Sequence, residues 1–354
     1  MEPPPPPPVT ASPTNTLLTA AIVAASYWLL RRLATLLTAD ADVPTAGTPP
    51  AGRTGLSNRV VWVTGASSGI GAATAEAVVA AGGRVVLTAR RGELLTAAAD
   101  RLGGSSKVVV ADVADIAAAP ATVAAAVAAF GTVDVLINNA GVSTRETGAA
   151  LGAAAIDTVV GVNFTGPIAL SRELLAVWAA ERRGEGSTPS PAAASVLAAH
   201  RRTVRPTLMF VSSVAAVLHV PLRSAYCGAK AALVAWANVV RLEEPTTRVV
   251  NVLPGSVRTG LGITALTATG TYGVTDRRLA AGLPPSRVAE RMVAVLADEA
   301  GGVEEVWLGH KWPELALLYV ATYARPLWGA VARRLAGRYQ RELQEDGAAA
   351  RSTS

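Results

Sequence analysis

At 354 residues, 51% hydrophobic and 16% charged, the chain is long enough for one large domain with accessory ends, and wholesale disorder is excluded. The formal net charge of +6 is diffuse, with no basic run interleaved with aromatics. That excludes a nucleic-acid partner and leaves an anionic membrane surface or a phosphorylated ligand open. Cys227 is the only cysteine, and His200, His219 and His310 show no metal-ligand spacing. An internal disulfide, a CxxC pair and a catalytic metal are therefore not expected.

In chain order, residues 1–15 open on the proline run Pro3–Pro8 and read as an extended, disordered terminus. Residues 16–38 carry the apolar run Leu17–Leu30, then Arg31-Arg32 and Leu33–Leu37. A bilayer core needs about 20 apolar residues, so this segment reads as a membrane anchor helix in contact with lipid. A cleaved signal peptide fits less well, because no basic stretch precedes the run. An amphipathic helix resting on the membrane or on the domain is the plainer alternative. The flanking charges lie C-terminal to the segment, which places the following domain on the cytosolic side. Residues 39–58, rich in Pro, Gly and Thr, read as a linker.

From residue 59 to 312 short β-branched runs alternate with alanine-rich helical stretches. Strands are expected at Arg59–Thr64, Arg84–Thr88, Lys107–Val110, Val133–Ile137, Thr207–Val211, Arg248–Val252 and Val303–Trp307. Helices are expected at Ile70–Ala81, at Glu93–Leu102 and in a stretch ending near Phe130. Fully apolar strands alternating with helices predict an α/β fold: one doubly wound, Rossmann-type parallel sheet with helices on both faces. Residues 184–206, rich in Pro, Ser and Ala, read as a surface insertion. Residues 313–345 read as an apolar and aromatic helical extension, dressing the mouth of a site or resting on a membrane. Residues 346–354 read as a disordered tail.

The first strand runs directly into Thr64-Gly65-Ala66-Ser67-Ser68-Gly69-Ile70-Gly71 and then into a helix. Glycines there allow the tight bend, close approach of backbone to a pyrophosphate, and close packing of helix on strand. The helix N-terminus presents free N–H groups to an anion. A tight loop without a ligand is the plain alternative, but the position after the first strand of a βαβ unit favours dinucleotide binding. The second strand ends in Ala89-Arg90-Arg91, with no carboxylate to hold a ribose 2′-hydroxyl. Arg90, with Arg91 and Ser67 beside it, suits a 2′-phosphate instead, which predicts NADP(H) rather than NAD(H).

Tyr226 and Lys230 lie four residues apart on a helical run, Tyr226–Leu242, and so share a face. A free phenol titrates near 10, and an adjacent ammonium would favour the phenolate and bring it toward acid–base work. The chain has only three lysines, Lys107, Lys230 and Lys311, so this spacing carries weight.

With Thr64–Gly71, Asn138-Asn139-Ala140-Gly141, Asn163, Ser212-Ser213 and Pro254-Gly255, the chain resembles the short-chain dehydrogenase/reductase family from Arg59 to about Gly309. Ser213 stands thirteen residues before Tyr226, the family's usual separation. The resemblance implies a hydride-transferring oxidoreductase acting on a carbonyl or secondary alcohol. It implies Tyr226 as proton donor, Ser213 on the substrate oxygen, Lys230 on the nicotinamide ribose and Asn163 holding a water. For the cofactor it implies Thr64, Gly65, Ser67, Ser68, Gly69, Ile70 and Gly71 at the phosphates, with Arg90 at the 2′ position. It further implies Asp112 and Val113 at adenine, Asn139, Ala140 and Gly141 along the adenosine side, and Pro254, Gly255, Val257 and Thr259 beside the nicotinamide. Ser212 rather than Ser213 is the alternative inward-facing hydroxyl. Asn138 is expected to be structural, and Cys227 and His219 incidental.

Within that family the chain is most similar to the membrane-anchored dehydrogenase/reductase member 7 group. The resemblance implies anchoring in the endoplasmic reticulum and a small lipophilic carbonyl substrate: a steroid, a retinoid or an acyl- or alkyl-dihydroxyacetone phosphate. The apolar residues Leu261–Leu266 and Leu283 read as a lid for such a substrate. The connection Arg241–Thr247 is short for the family and Pro245 should end its helix, so a homodimer through that helix is left open. The reading from another class is a silent NADP(H)-binding scaffold or sensor at a membrane; the full set Asn163, Ser213, Tyr226 and Lys230 argues against it.

Overall fold

The structure is a computed structural model that describes residues 55–57, 59–185, 204–262, 265–266, 272–274, 282–298, 303–309 and 312–334, with isolated positions at 26 and 337. Apart from residue 26, the anchor assigned to 16–38 lies outside the described residues, as do the segments 1–15 and 346–354 and most of 39–58 and of the insertion 184–206.

Among the described residues, seven parallel strands form one sheet. They are β1 (Val60–Thr64), β2 (Arg84–Ala89), β3 (Ser106–Val110), β4 (Val135–Asn138), β5 (Thr207–Val211), β6 (Arg248–Pro254) and, after the short antiparallel pair β7 (Ala265–Leu266) and β8 (Tyr272–Val274), β9 (Glu305–Leu308). The order across the sheet is β3-β2-β1-β4-β5-β6-β9. The chain winds outward from β1 to β3 and then restarts at β4 on the other side, so the C-terminal ends of β1 and β4 frame a topological switch point.

The strands are apolar throughout because both faces are covered. Alternate residues of one strand enter different cores, as the pleat requires. Val60 and Trp62 of β1, with Leu136, Leu208 and Phe210, face α3 (Ala119–Phe130), α5 (Gly166–Arg183) and α7 (Ser224–Glu243). Val61 and Val63, with Ile137 and Met209, face α1 (Gly69–Ala80), α2 (Gly92–Leu102) and α8 (Pro285–Ala297). The polar groups caught between these layers are paired. The Trp62 indole donates to Thr88 Oγ1 at 2.8 Å, Asp134 accepts the Val60 amide at 2.8 Å, and the Trp178 indole donates to the Val133 carbonyl at 2.6 Å.

The expected elements are present, with ends shifted by one or two residues. Val133–Ile137 becomes Val135–Asn138, and Tyr226–Leu242 becomes Ser224–Glu243. The latter helix stops before Pro245, with Glu244 as its C-terminal cap. Among the described residues one stretch, Ala153–Arg183, is long and apolar enough to cross a membrane. It comprises α4 (Ala153–Val160), a π-helical turn (Gly161–Thr165) and α5, and it is a core helix: Leu170, Leu174 and Trp178 are all buried against the sheet. In the C-terminal extension α9 (Trp312–Tyr323) packs on the short α6 (Ala215–Leu218), with Leu318 buried and Tyr319 against Trp307 at 5.6 Å. That places the tail behind the segment following Ser213. Tyr323 and Leu327 stay exposed on it.

Candidate active site

A cleft of about 430 Å³ opens at the switch point. Its walls come from the β1–α1 turn, the ends of β2, β3 and β4, the end of β5, the first turns of α7, and the chain after β6. Of the residues expected at the cofactor, Gly65, Ser67, Ser68, Gly69, Ile70, Arg90, Asp112, Val113, Asn139, Ala140, Gly141, Pro254, Gly255, Val257 and Thr259 all line it. Thr64, Gly71 and Asn163 do not; each shapes the cleft from behind.

Thr64 is almost wholly buried, and its hydroxyl accepts the amides of Asn139 at 3.0 Å and Ala140 at 3.1 Å while donating to the Ile137 carbonyl. Asn139 answers with its own amide group, donating to the Thr64 carbonyl at 2.9 Å. The two strand ends are thereby tied together on either side of the switch. Glycine is obligatory at two points of the turn. Gly65 has φ +67, and a Cβ there would lie 2.8 Å from Ala140 Cα. A Cβ on Gly71 would run into the Gly65 carbonyl and the Asn139 side chain, so α1 could not approach β1.

Asn163 is fully buried within the π-turn, its Nδ2 donating to the Val142 carbonyl at 2.8 Å and its Oδ1 accepting the Val142 amide at 3.2 Å. It fixes the backbone that follows Gly141. Asn138 is structural, as expected, but its partner is the Ser171 hydroxyl on α5 at 3.0 Å.

At the β2 end the two arginines divide. Arg91 donates to Ser67 Oγ at 2.9 Å and Ser68 Oγ at 3.1 Å, while Arg90 lies 3.9 Å from the Asp112 carboxylate, both side chains well exposed. Spacing did not distinguish them.

At the opposite end stand Ser213, Tyr226 and Lys230. Ser213 Oγ accepts the Ala215 amide at 3.1 Å and donates to the Pro254 carbonyl at 3.4 Å, and its hydroxyl favours ionisation of Tyr226. Ser212 also borders the cleft, but its hydroxyl donates to the Lys230 carbonyl at 3.0 Å. Lys230 Nζ donates to the Val211 carbonyl at 2.8 Å and sits 6.0 Å from the Tyr226 ring centroid.

The electrostatics differ from expectation. Burial pushes the Tyr226 phenol above its ordinary 10.0, and what opposes this is the Ser213 hydrogen bond and the positive charge of Arg223. Burial also lowers Lys230 from 10.5 to about 8. Lys230 nevertheless stays charged at neutral pH, and Arg223, which borders the cleft one helical turn before Tyr226, is a second cation that motif reading missed.

The expected lid is only partly one. Leu261 lines the cleft, but Leu266 is buried in the core with its amide on the Ser143 carbonyl, and Leu283 packs against the other core. Residues 263–264 lie outside the described set.

With this geometry in view, the sequence model described as short chain dehydrogenase matches residues 59–187 and 192–268. The chain belongs to the short-chain dehydrogenase family. It is 33% identical over 290 residues to the mouse protein named dehydrogenase/reductase SDR family member 7B, a match covering 77% of this chain and 80% of the mouse one. Solved short-chain dehydrogenase folds superpose on it. The alcohol dehydrogenase of Thermococcus sibiricus, solved with 5-hydroxy-NADP, has a TM-score of 0.57 at 23% identity, covering 72% of this chain and 97% of its own. The 3-ketoacyl-(acyl-carrier-protein) reductase of Brucella melitensis, solved with NADH, has a TM-score of 0.58 at 24% identity, covering 71% and 96%. As a short-chain dehydrogenase the chain is an oxidoreductase by family.

Proposed function

We propose that this short-chain dehydrogenase is a membrane-anchored enzyme that binds NADP(H) and reduces a lipophilic carbonyl, running in reverse on the alcohol. The observation that carries the cofactor choice is the end of β2, where Arg90 and Arg91 border the cleft and Arg91 reaches the glycine-turn serines. The Asp112 carboxylate, just after β3, faces Arg90.

The residues present fit a dinucleotide. The turn has no room for side chains at Gly65 or Gly71, and Ser67, Ser68 and the first turn of α1 offer donors to phosphate. When bound, a reduced nicotinamide supplies the hydride. The protein's own groups do the rest. Ser213 donates a hydrogen bond to the substrate oxygen, and Tyr226 Oη hands that oxygen its proton. Lys230 leaves the Val211 carbonyl within reach of a ribose and replenishes positive charge beside the phenol. Asn163 keeps the Val142 backbone in place along the cleft. Val142, Val257 and Leu261 give the wall apolar character, which suits a lipid-like substrate, and the apolar run of 16–38 suits delivery from a bilayer.

The test is a fluorescence titration of the full chain, purified in detergent, with NADPH and with NADH. NADPH binding at least about tenfold tighter, with the preference erased in Arg90→Ala, is the expected outcome; a salt bridge to a 2′-phosphate supplies about that factor. Equal or NADH-favoured binding refutes the phosphate role. Tyr226→Phe should abolish turnover of a long-chain aldehyde while leaving NADPH binding intact.

A further inference from the structure

The outward side of a helix packed on a domain is ordinarily polar, because only its inner stripe meets the core. The C-terminal extension breaks that rule. Leu318, Ala321 and Trp328 are buried at helical spacing on one side. On the other, Tyr323 is 72% exposed and Leu327 57%. Helical hydrogen bonds run on across the join at Ala324. Its amide donates to the Val320 carbonyl at 2.9 Å, and its carbonyl accepts the Trp328 amide at 3.0 Å. The helix over residues 325–334 therefore keeps the phase of α9, so that Tyr323, Leu327, Ala330 and Arg334 share one outward face, all four exposed. Arg325 and Arg333 are exposed as well.

The charge of this extension has one sign. From Leu315 to Arg341 the chain carries Arg325, Arg333, Arg334, Arg338 and Arg341 and no Asp or Glu. Apolar side chains accompanied by arginines alone fit a partner that is both greasy and negative. A second copy of the chain fits worse, since it would set arginines against arginines. We propose that the face carrying Tyr323, Leu327, Ala330 and Arg334 docks on an anionic lipid surface, its apolar side chains among the acyl chains and its arginines at the headgroups. The assignment rests on the membrane reading above, but on residues other than 16–38.

α9 ties this face to the substrate end of the cleft. Leu318 is buried together with Val214, Leu253 and Trp307. Val214 follows Ser213 and Leu253 precedes Pro254, both of which line the cleft. Lipid held against the tail is thereby coupled, through one packed cluster, to the groups that would receive a lipophilic carbonyl.

The experiment uses the full chain reconstituted into vesicles, with an NBD fluorophore attached to Leu327→Cys and, separately, to Lys107→Cys. Lys107 is an exposed residue of β3, at the far edge of the sheet from the β9 strand that α9 touches through Trp307. Cys227 is buried, and the wild type carried through the same labelling gives its background. The readout is quenching by phosphatidylcholine brominated on its acyl chains. With phosphatidylserine in the bilayer, the label at 327 should be quenched and the label at 107 should not. Arg333→Gln combined with Arg334→Gln should lower the docked-to-free ratio about thirtyfold, roughly fivefold for each charge removed. Equal quenching at 327 and 107, in a chain that floats with the vesicles, overturns the tail contact and leaves the anchor standing. A chain that does not float with them overturns both. Quenching that persists in the double variant and without phosphatidylserine overturns the choice of anionic lipid. Shielding of the 327 label that follows protein concentration and not lipid gives the face to a second copy and overturns the proposal.

Discussion

Lys230 makes the stability of this domain depend on pH in an unusual direction. Its amine falls from 10.5 to about 8 on folding. Between those values the unfolded chain binds more protons than the folded one, so stability must rise with pH. At pH 7 the folded protein carries nearly the full penalty of a buried ammonium, roughly 3 kcal/mol. By pH 10 most of it is relieved. From about pH 9 the raised Cys227 thiol, and above pH 10 the raised Tyr226 phenol, act the other way, because the unfolded chain then loses those protons first. Both groups are also present in the variant below and cancel in the comparison. The window for the measurement is therefore pH 7 to 10. Lys230→Met keeps the bulk, removes the titration, and sacrifices the bond to Val211 at every pH alike. Thermal midpoints of wild type and variant, taken across that window, should converge or cross, with the wild type gaining about 5 °C relative to Lys230→Met. Parallel curves would refute the reasoning and mean that Lys230 is charged and well solvated in the folded site.

Two further outcomes follow from the turn and its supports. Gly71→Ala drives a methyl into the Gly65 carbonyl; it should cost about 2 kcal/mol in denaturant unfolding and abolish NADPH binding at micromolar concentrations. Asn163→Ala strands the Val142 amide and carbonyl, both of which it now satisfies, and should cost about 2–4 kcal/mol in the same assay.

The sheet was legible because its strands are apolar on both faces, and Val60–Thr64 is buried along its whole length. The ends slipped because a strand ends where its neighbour stops pairing: β4 begins at Val135, where the β1 and β5 registers meet it. The site was legible where chemistry is bound to residue type, as with Gly65 and Gly71, Tyr226 and Lys230. It was not legible where the decision lies in a rotamer or a backbone angle. Sequence cannot tell that Arg91 turns to Ser67 while Arg90 turns to Asp112, or that Lys230 points its charge at a strand carbonyl. Nothing in the letters of Leu222 announces a residue held at φ 66. Leu266 and Leu283 read as a lid because apolar residues in a loop look alike whether they cover a cleft or fill a core.

The π-turn at Gly161–Thr165 has a consequence for how this helix can change length. It holds one residue more than an α-helix needs, and deleting that residue would restore regular hydrogen bonding. The wider turn absorbs that residue, because each residue within it rotates less than the roughly 100° of a regular α-helix. Ser171, Leu174 and Trp178 downstream would therefore keep the phase that sets them on Asn138, the sheet and the Val133 carbonyl. What the deletion would remove is the bulge around Asn163 and its hold on the Val142 backbone, so the surplus residue serves the cleft and not the core.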